Sequence, residues 1–205
     1  NNYAYVTSRE NNRLVVFDVS DPRNPQAVSY AEGPLNQPVR VHVSGIHAYV
    51  VAEGTNAIVV YDVSNPAQLV YLGQVTTGLT HPRSIYVSGD RAYVAYAGDE
   101  ATSEHCGLAL LDLSDPAGIA VLNVIDMSDW LNEALVPPKP VAVTGSGDHI
   151  YVANEGHDSV TIFEIDSLQA SAVRAGEMQV AHLEVANYAA FEGDLGVRGG
   201  LNVGS

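Results

Sequence analysis

Three shortages limit what this 205-residue sequence can do: it has one cysteine, few basic residues and no long apolar run. Cys106 cannot form an internal disulfide, and alone it does not make a cysteine-rich zinc site. Nine basic against 24 acidic residues give a formal charge of -15. This charge disfavours nucleic acid and anionic lipid, and favours cations or basic partners. No apolar run approaches the ~20 residues of a membrane helix, so we expect a globular protein without membrane insertion or nucleic-acid binding.

The composition also bears on where the protein works. Lysine is scarce, glycine, asparagine and threonine are common, and the chain begins at Asn1 without an initiator methionine. These features suit a mature exported bacterial protein. We therefore expect an extracellular, periplasmic or cell-surface location.

The feature that the sequence does have is an apolar segment that ends in an acidic residue and a turn, and that occurs four times. Each copy is rich in valine, leucine and isoleucine, which is typical of a strand buried on both faces. The copies are Arg13–Ser20, Ala57–Ser64, Gly107–Ser114 and Ser159–Asp166.

A second landmark gives the length of the repeat. Tyr-Val pairs begin at Tyr5, Tyr49 and Tyr93, each 44 residues after the last, and a fourth begins at Tyr151. A period near 44 with several short strands is typical of one propeller blade. The sequence therefore predicts an all-β fold, a β-propeller built of four-stranded antiparallel blades, with four clear repeats and a possible partial extra blade.

The second repeat predicts four strands within one blade, at 39–43, 48–52, 58–63 and 68–75. A motif of the form Asp-x-Ser-[Asp/Asn]-Pro follows the third strand at 18–22, 62–66 and 112–116. Aspartate side chains that bond to the backbone two residues on, followed by proline, close turns. We interpret these aspartates as structural rather than functional.

These motifs give the chain a resemblance to a known family. The strand Leu14-Val-Val-Phe-Asp18 with its Ser and Pro resembles the LVIVD repeat, a propeller-forming repeat of bacterial and archaeal surface or exported proteins. The resemblance covers about residues 3–166 and implies the propeller fold, but it brings no common catalytic residues. The fourth copy departs from the pattern, with Glu164 for the Asp, Asp166 for the Ser and Leu168 where Pro is expected.

We predict a single propeller domain over 1–205, in which 167–205 is a closing or extra-blade segment. This segment fits either strands or a helix. The last residues, 201–205, abut the first six like neighbouring strands of one blade, so the two ends can complete a blade. The alternative is a piece of a longer ring of six to eight blades.

Two insertions in the third repeat, at 97–107 and 126–138, are expected to project from the same face of the blades and to carry function. That face is also acidic, and Glu53 falls in one of its loops. The ordinary interpretation is a solvated face of an acidic protein, and the functional one is a cation site or a contact surface for a basic protein. As a functional prediction we take the contact surface, for another protein or another copy. The predicted partner-binding residues are Asp99, Glu100, Glu104, Asp126, Asp129, Trp130, Glu133, Glu155 and Asp158.

Trp130 lies in a predicted short helix that begins near Ser128, and it is either a packed plug or an anchor for a partner. No cofactor is required by any motif; calcium is possible because of the acidic loops, although no spaced Asp-x-Asp-x-Asp motif is present. Gln37, His81 and Lys139 precede the first strands and are predicted to surround the mouth of a central channel. His105 and Cys106 are adjacent, which is poor geometry for a catalytic dyad.

We therefore predict a non-enzymatic extracellular binding or surface-scaffold protein that uses its acidic face for protein contact. The alternative is a lactonase-like propeller hydrolase with a divalent ion in the central channel. That alternative needs carboxylates on the innermost strands, and the sequence has none at 39–43, 85–87 or 141–143.

Overall fold

Four antiparallel sheets follow one another along the chain in the computed structural model, which describes residues 2–98, 105–128 and 138–165. The chain divides into two compact units, Asn1–Ser171 and Ala172–Ser205, and every described residue belongs to the first. In this described part, no helix has the length and apolarity needed to cross a membrane. The predicted all-β, antiparallel architecture is confirmed.

Within each sheet the strands lie side by side in chain order. Sheet 1 contains β1 (Tyr3–Ser8), β2 (Arg13–Asp18) and β3 (Gln26–Ala31). Sheet 2 contains β4 (Pro38–Ser44), β5 (His47–Ala52), β6 (Ala57–Asp62) and β7 (Val70–Val75). Sheet 3 contains β8 (Pro82–Ser88), β9 (Arg91–Tyr96), β10 (Gly107–Asp112) and β11 (Ala120–Asp126). Sheet 4 contains β12 (Pro140–Ser146), β13 (His149–Asn154) and β14 (Ser159–Glu164). Two single-turn 3-10 helices, Glu53–Thr55 and Glu155–His157, join β5 to β6 and β13 to β14.

The same strand pairing recurs in all four sheets. The residue that ends each repeated strand lies opposite the residue that opens the preceding strand. The pairs are Tyr3 with Asp18, His47 with Asp62, Arg91 with Asp112 and His149 with Glu164. The predicted equivalence of β2, β6, β10 and β14 is therefore confirmed.

The aspartates that follow the repeated strands close turns, as predicted. Asp18, Asp62 and Asp112 each accept a hydrogen bond through Oδ1 from the backbone N–H of the serine two residues on, at 2.8, 2.7 and 3.0 Å. This bond favours the ionised carboxylate and lowers the pKa of all three side chains below the usual value of 3.8. Their role in the repeat is structural.

Consecutive sheets pack face to face through three apolar clusters. We call the side of a sheet that faces the next sheet along the chain its forward face, and the opposite side its backward face. Leu14, Ile58 and Leu108 lie on forward faces, and Val50, Val94 and Val152 lie on backward faces. Every cluster joins the forward face of one sheet to the backward face of the next.

Two side chains reinforce this stacking at the loop ends of the sheets. Oδ1 of Asn12 in sheet 1 accepts the N–H of Gln37, which precedes β4, at 2.8 Å. In the same way Oδ1 of Asn56 in sheet 2 accepts the N–H of His81, which precedes β8, at 2.9 Å. Both asparagines have left-handed backbone conformations, with φ of 54° and 52°, a region that asparagine tolerates better than most residues. Each bond fixes the start of one sheet to the loop of the sheet before it.

The prediction that all four repeated strands are buried on both faces is right for β6 and β10 and wrong for β2 and β14. In β2 only Leu14 and Val16 are buried. Every residue of Ala57–Tyr61 and Gly107–Leu111 is buried. In β14, Val160 and Ile162 are 60% and 59% exposed. The physical reason is that no described sheet lies against the forward face of sheet 4.

Candidate functional site

The predicted acidic contact surface is described only in part. Asp126, Glu155 and Asp158 have described positions and are exposed. The other six residues of the set lie outside the described ranges, as does the predicted helix that follows Ser128. These residues are Asp99, Glu100, Glu104, Asp129, Trp130 and Glu133.

Asp126 is the first residue of the second insertion of sheet 3, and it contacts the described end of the first insertion. Its Oδ2 lies 2.7 Å from Nδ1 of His105, and the N–H of Met127 donates to the carbonyl of Cys106 at 2.8 Å. The described ends of both insertions therefore lie together at one edge of sheet 3, as the predicted common face requires. The parts at 99–104 and 129–137 are not described.

His105 and Cys106 do not form a nucleophilic pair. Nδ1 of His105 contacts both Asp126 and the Oγ of Ser128, which lies 2.9 Å away. A catalytic relay instead uses the two ring nitrogens for different partners. Cys106 is buried, and burial raises the pKa of its thiol. The serine, histidine and aspartate therefore close the base of a loop.

Glu155 and Asp158 lie at the rim of an apolar groove on sheet 4. The groove has a volume of about 480 Å³, and Val141, Ala153 and Val160 line it beside the two acids. Glu155 begins the short helix after β13, and Asp158 follows it with a left-handed φ of 49°, in the place that Asn12 and Asn56 occupy in sheets 1 and 2. The groove thus combines an apolar floor with two exposed carboxylates.

This groove belongs to the uncovered forward face of sheet 4. Val160 occupies the position of Ile58 in sheet 2 and of Leu108 in sheet 3, which are 0% and 1% exposed. Ile162 likewise corresponds to the buried Val60. The fourth repeat therefore keeps apolar residues at positions that the next sheet covers elsewhere in the chain.

The backward face of sheet 1 is uncovered in the same way. Val6 is 45% exposed, whereas its equivalents Val50, Val94 and Val152 are all 0% exposed. Tyr30 on the same sheet is also exposed. The described array thus ends at both sides in an apolar face.

Glu53 lies in an acidic loop, but it does not contribute to an exposed acidic surface. It is 6% exposed, and its two carboxylate oxygens accept Nη2 of Arg9 at 3.1 Å and Nη2 of Arg83 at 3.0 Å. The three residues come from sheets 1, 2 and 3. Sequence reasoning missed this because the three residues are far apart along the chain and meet only when the sheets stack.

A cavity of about 610 Å³ lies between the first strands of sheets 2, 3 and 4. Its polar lining includes Arg40, His42, Tyr86, Thr144 and Tyr151. Burial lowers the pKa of His42 below its usual value of 6.5, so the imidazole is neutral at neutral pH. None of the described lining residues is a carboxylate, and among residues 2–98, 105–128 and 138–165 no group of three or more His, Cys, Asp or Glu could hold a metal ion. A calcium site stays a prediction.

Gln37, His81 and Lys139 occupy equivalent positions immediately before β4, β8 and β12. All three have left-handed backbones, with φ of 48°, 48° and 51°. Their carbonyls accept the N–H of Glu53, Ala97 and Glu155 at 3.2, 3.0 and 3.0 Å. These bonds support an unusual backbone conformation, so the conformation has a structural cause. That the three side chains surround a channel mouth stays a prediction.

Comparison with solved structures shows which class of fold this is. A protein from Lactobacillus plantarum superposes with a TM-score of 0.66 at 15% identity, over 80% of this chain and 50% of its own. The periplasmic gluconolactonase of Pseudomonas aeruginosa, PpgL, gives 0.63 at 16% identity, over 82% and 48%. The computationally designed Ika4 protein gives 0.56 at 11% identity, over 80% and 86%. This chain therefore spans about half the length of the first two structures, and the class is an all-β protein of successive antiparallel sheets.

A family model of the LVIVD repeat matches residues 1–30 and 39–77. The first two copies of the recurring strand lie in these ranges, so the predicted resemblance to the LVIVD repeat is confirmed there. None of the curated proteins is similar enough in sequence to match it.

Proposed function

We propose that the four sheets are consecutive blades of a β-propeller and that the protein is a non-enzymatic binding scaffold. The forward face of sheet 4 binds another protein, and Glu155 and Asp158 line the rim of the binding site. The observation that carries this proposal is the exposure of Val160 and Ile162, at 60% and 59%, at positions that are buried in the other sheets.

The chemistry of the face suits a protein partner. Exposed apolar side chains that lie together mark interaction sites, and burying each valine or isoleucine stabilises a complex by about 1.5–3 kcal/mol. The two rim carboxylates add attraction for a cationic partner, which mainly raises the rate of encounter. The proposal also includes the predicted contact residues in the loops of sheet 3, which are Trp130 and acidic residues such as Asp126.

The lactonase-like alternative has fold-level support only. PpgL is a gluconolactonase with the same fold at 16% identity, and fold alone does not establish activity. Metal-activated water needs ligands on the cavity wall, and the described lining offers only His42 as a common ligand type. The binding role is therefore the better supported of the two.

The test compares four forms of the chain as bait in an extract of the source organism. These are the wild type, Val160→Glu with Ile162→Glu, Glu155→Gln with Asp158→Asn, and Val70→Glu as control. Val70 is 49% exposed on β7 of sheet 2, away from the proposed face. We expect the wild type and the control to recover the same partners and the apolar double variant to lose them. The carboxylate variant should bind more slowly and with less dependence on salt.

Two results would contradict the proposal. One is recovery of the same partners by all four forms. The other is calcium-dependent hydrolysis of lactones or esters by the wild type, which would favour the enzyme.

A further inference from the structure

The three internal interfaces follow one rule, which leaves two faces unmatched. A forward face always packs against a backward face, as Leu14 packs in one cluster with Val50, and Ile58 in another with Val94. The described chain has one forward face without a cover, on sheet 4, and one backward face without a cover, on sheet 1. Within the described ranges, no apolar cluster joins these two sheets to each other.

We infer that these two faces bind each other between copies: the forward face of sheet 4, with Val160 and Ile162, packs against the backward face of sheet 1, with Val6 and Tyr30, of a second copy of this chain. This inference rests on the proposed function and names the partner of the same site.

The two faces are complementary in residue type because they are the two halves of the repeated interface. Val160 stands where Ile58 and Leu108 stand, and these residues pack beneath the backward face of the next sheet. Val6 stands where Val50, Val94 and Val152 stand, which are the residues that cover such a face. The contact between copies therefore reuses a packing that the chain already forms three times.

Symmetry explains why two copies suffice. In the described part of the chain, one forward face and one backward face are without a cover, so two identical contacts in a closed dimer cover both.

The experiment measures the mass of the full 205-residue chain by sedimentation over a range of concentrations. We expect the wild type to have twice the monomer mass of 21.7 kDa. Val160→Glu and Val6→Lys should each be monomeric, because each substitution disrupts both identical contacts. An equimolar mixture of the two variants should form the dimer again, since one contact is then wild type and the other pairs the new acid with the new base. Val70→Glu is the control and should remain dimeric.

A second measurement tests directly whether the forward face of sheet 4 is covered. Val160→Cys places a thiol on it, while the native Cys106 is 1% exposed and should react slowly. In the dimer a thiol reagent should react with the introduced thiol at least tenfold more slowly than in the monomer produced by adding Val6→Lys.

Several outcomes would overturn the inference. A monomeric wild type with a reactive thiol means that no copy binds. A monomer with a protected thiol means that residues 166–205 or sheet 1 of the same chain covers the face. A dimer that survives Val6→Lys but not Val160→Glu means that the face pairs with itself. If copies do not associate but the bait experiment still loses partners with Val160→Glu, the inference fails and the proposed function stands; if that substitution changes neither result, both fail.

Discussion

Sheets 2 and 4 are built from the same repeat, but only sheet 2 has a described sheet on both sides. In sheet 2, Ile58 and Val60 are completely buried, and in sheet 4 the equivalent Val160 and Ile162 are about 60% exposed. All four residues are β-branched and apolar, so the residue types at these positions do not distinguish the two environments. Burial in this protein is therefore a property of the array of sheets and not of the individual repeat.

The acidic loops give the same lesson for charge. Glu53 and Glu155 begin the same short helix in sheets 2 and 4. Glu53 is buried between Arg9 of the preceding sheet and Arg83 of the following one. Glu155 is exposed, since sheet 4 has no described sheet after it. The same residue type at the same position is part of an internal ion network in one sheet and lies on a surface in the other.

The largest difference between sheets 2 and 4 should appear when equivalent apolar side chains are truncated. Ile58→Ala should lower the free energy of unfolding by about 3 kcal/mol, because it leaves a cavity in a packed interface. Val160→Ala should change it by less than about 0.5 kcal/mol when measured at concentrations where the chain is monomeric. Urea unfolding of both variants checks this. Equal losses would mean that sheet 4 is covered within its own chain.

A smaller difference in the free energy of unfolding is expected when Glu53 and Glu155 are each replaced by glutamine. Glu53→Gln should lower the free energy of unfolding by about 2 kcal/mol, since it removes the charge that accepts bonds from Arg9 and Arg83 in a buried site. Glu155→Gln at the equivalent exposed position should have little effect. Thermal unfolding of the two variants in low and high salt provides the measurement. A larger loss for Glu155→Gln would contradict the difference in environment.

The smallest expected effect is on the pH dependence of stability and comes from the Asp-x-Ser turns. These turns follow the repeated strand in sheets 1 to 3, and the sequence of the fourth repeat lacks the motif. The pKa values of Asp18, Asp62 and Asp112 are lowered in the folded protein. Their contribution to stability is therefore complete above the unfolded pKa near 3.8 and is lost as the pH falls through the lower folded values. Asp62→Asn keeps a side-chain oxygen as acceptor but cannot take up the proton, so its stability should fall less between pH 5 and pH 3. Urea midpoints across this range provide the comparison, and parallel curves for wild type and variant would contradict it.

The sequence predicted the strands and turns well because these depend on residues close together in the chain. Short apolar runs and the Asp-x-Ser turn are local signals, and β6 and its turn at Asp62 form where they predict. Contacts between sheets depend on residues that are distant in sequence. The bridge from Arg9 through Glu53 to Arg83 and the cavity beside Arg40 and His42 arise only when three sheets stack, so no local pattern indicates them.

The bonds from Asn12 to Gln37 and from Asn56 to His81 have an evolutionary consequence. The second repeat begins with the backbone donor of Gln37 and carries the acceptor Asn56 in the loop after its second strand, so a tandem duplication of this repeat brings a complete joint with it. In the third repeat Cys106 occupies the position of Asn56. A new copy bonds to its predecessor without any compensating substitution. Asp158 retains an acceptor oxygen at this position in the fourth repeat. The lineage can therefore lengthen or shorten by whole repeats, and natural selection can act on the number of sheets independently of how each sheet folds.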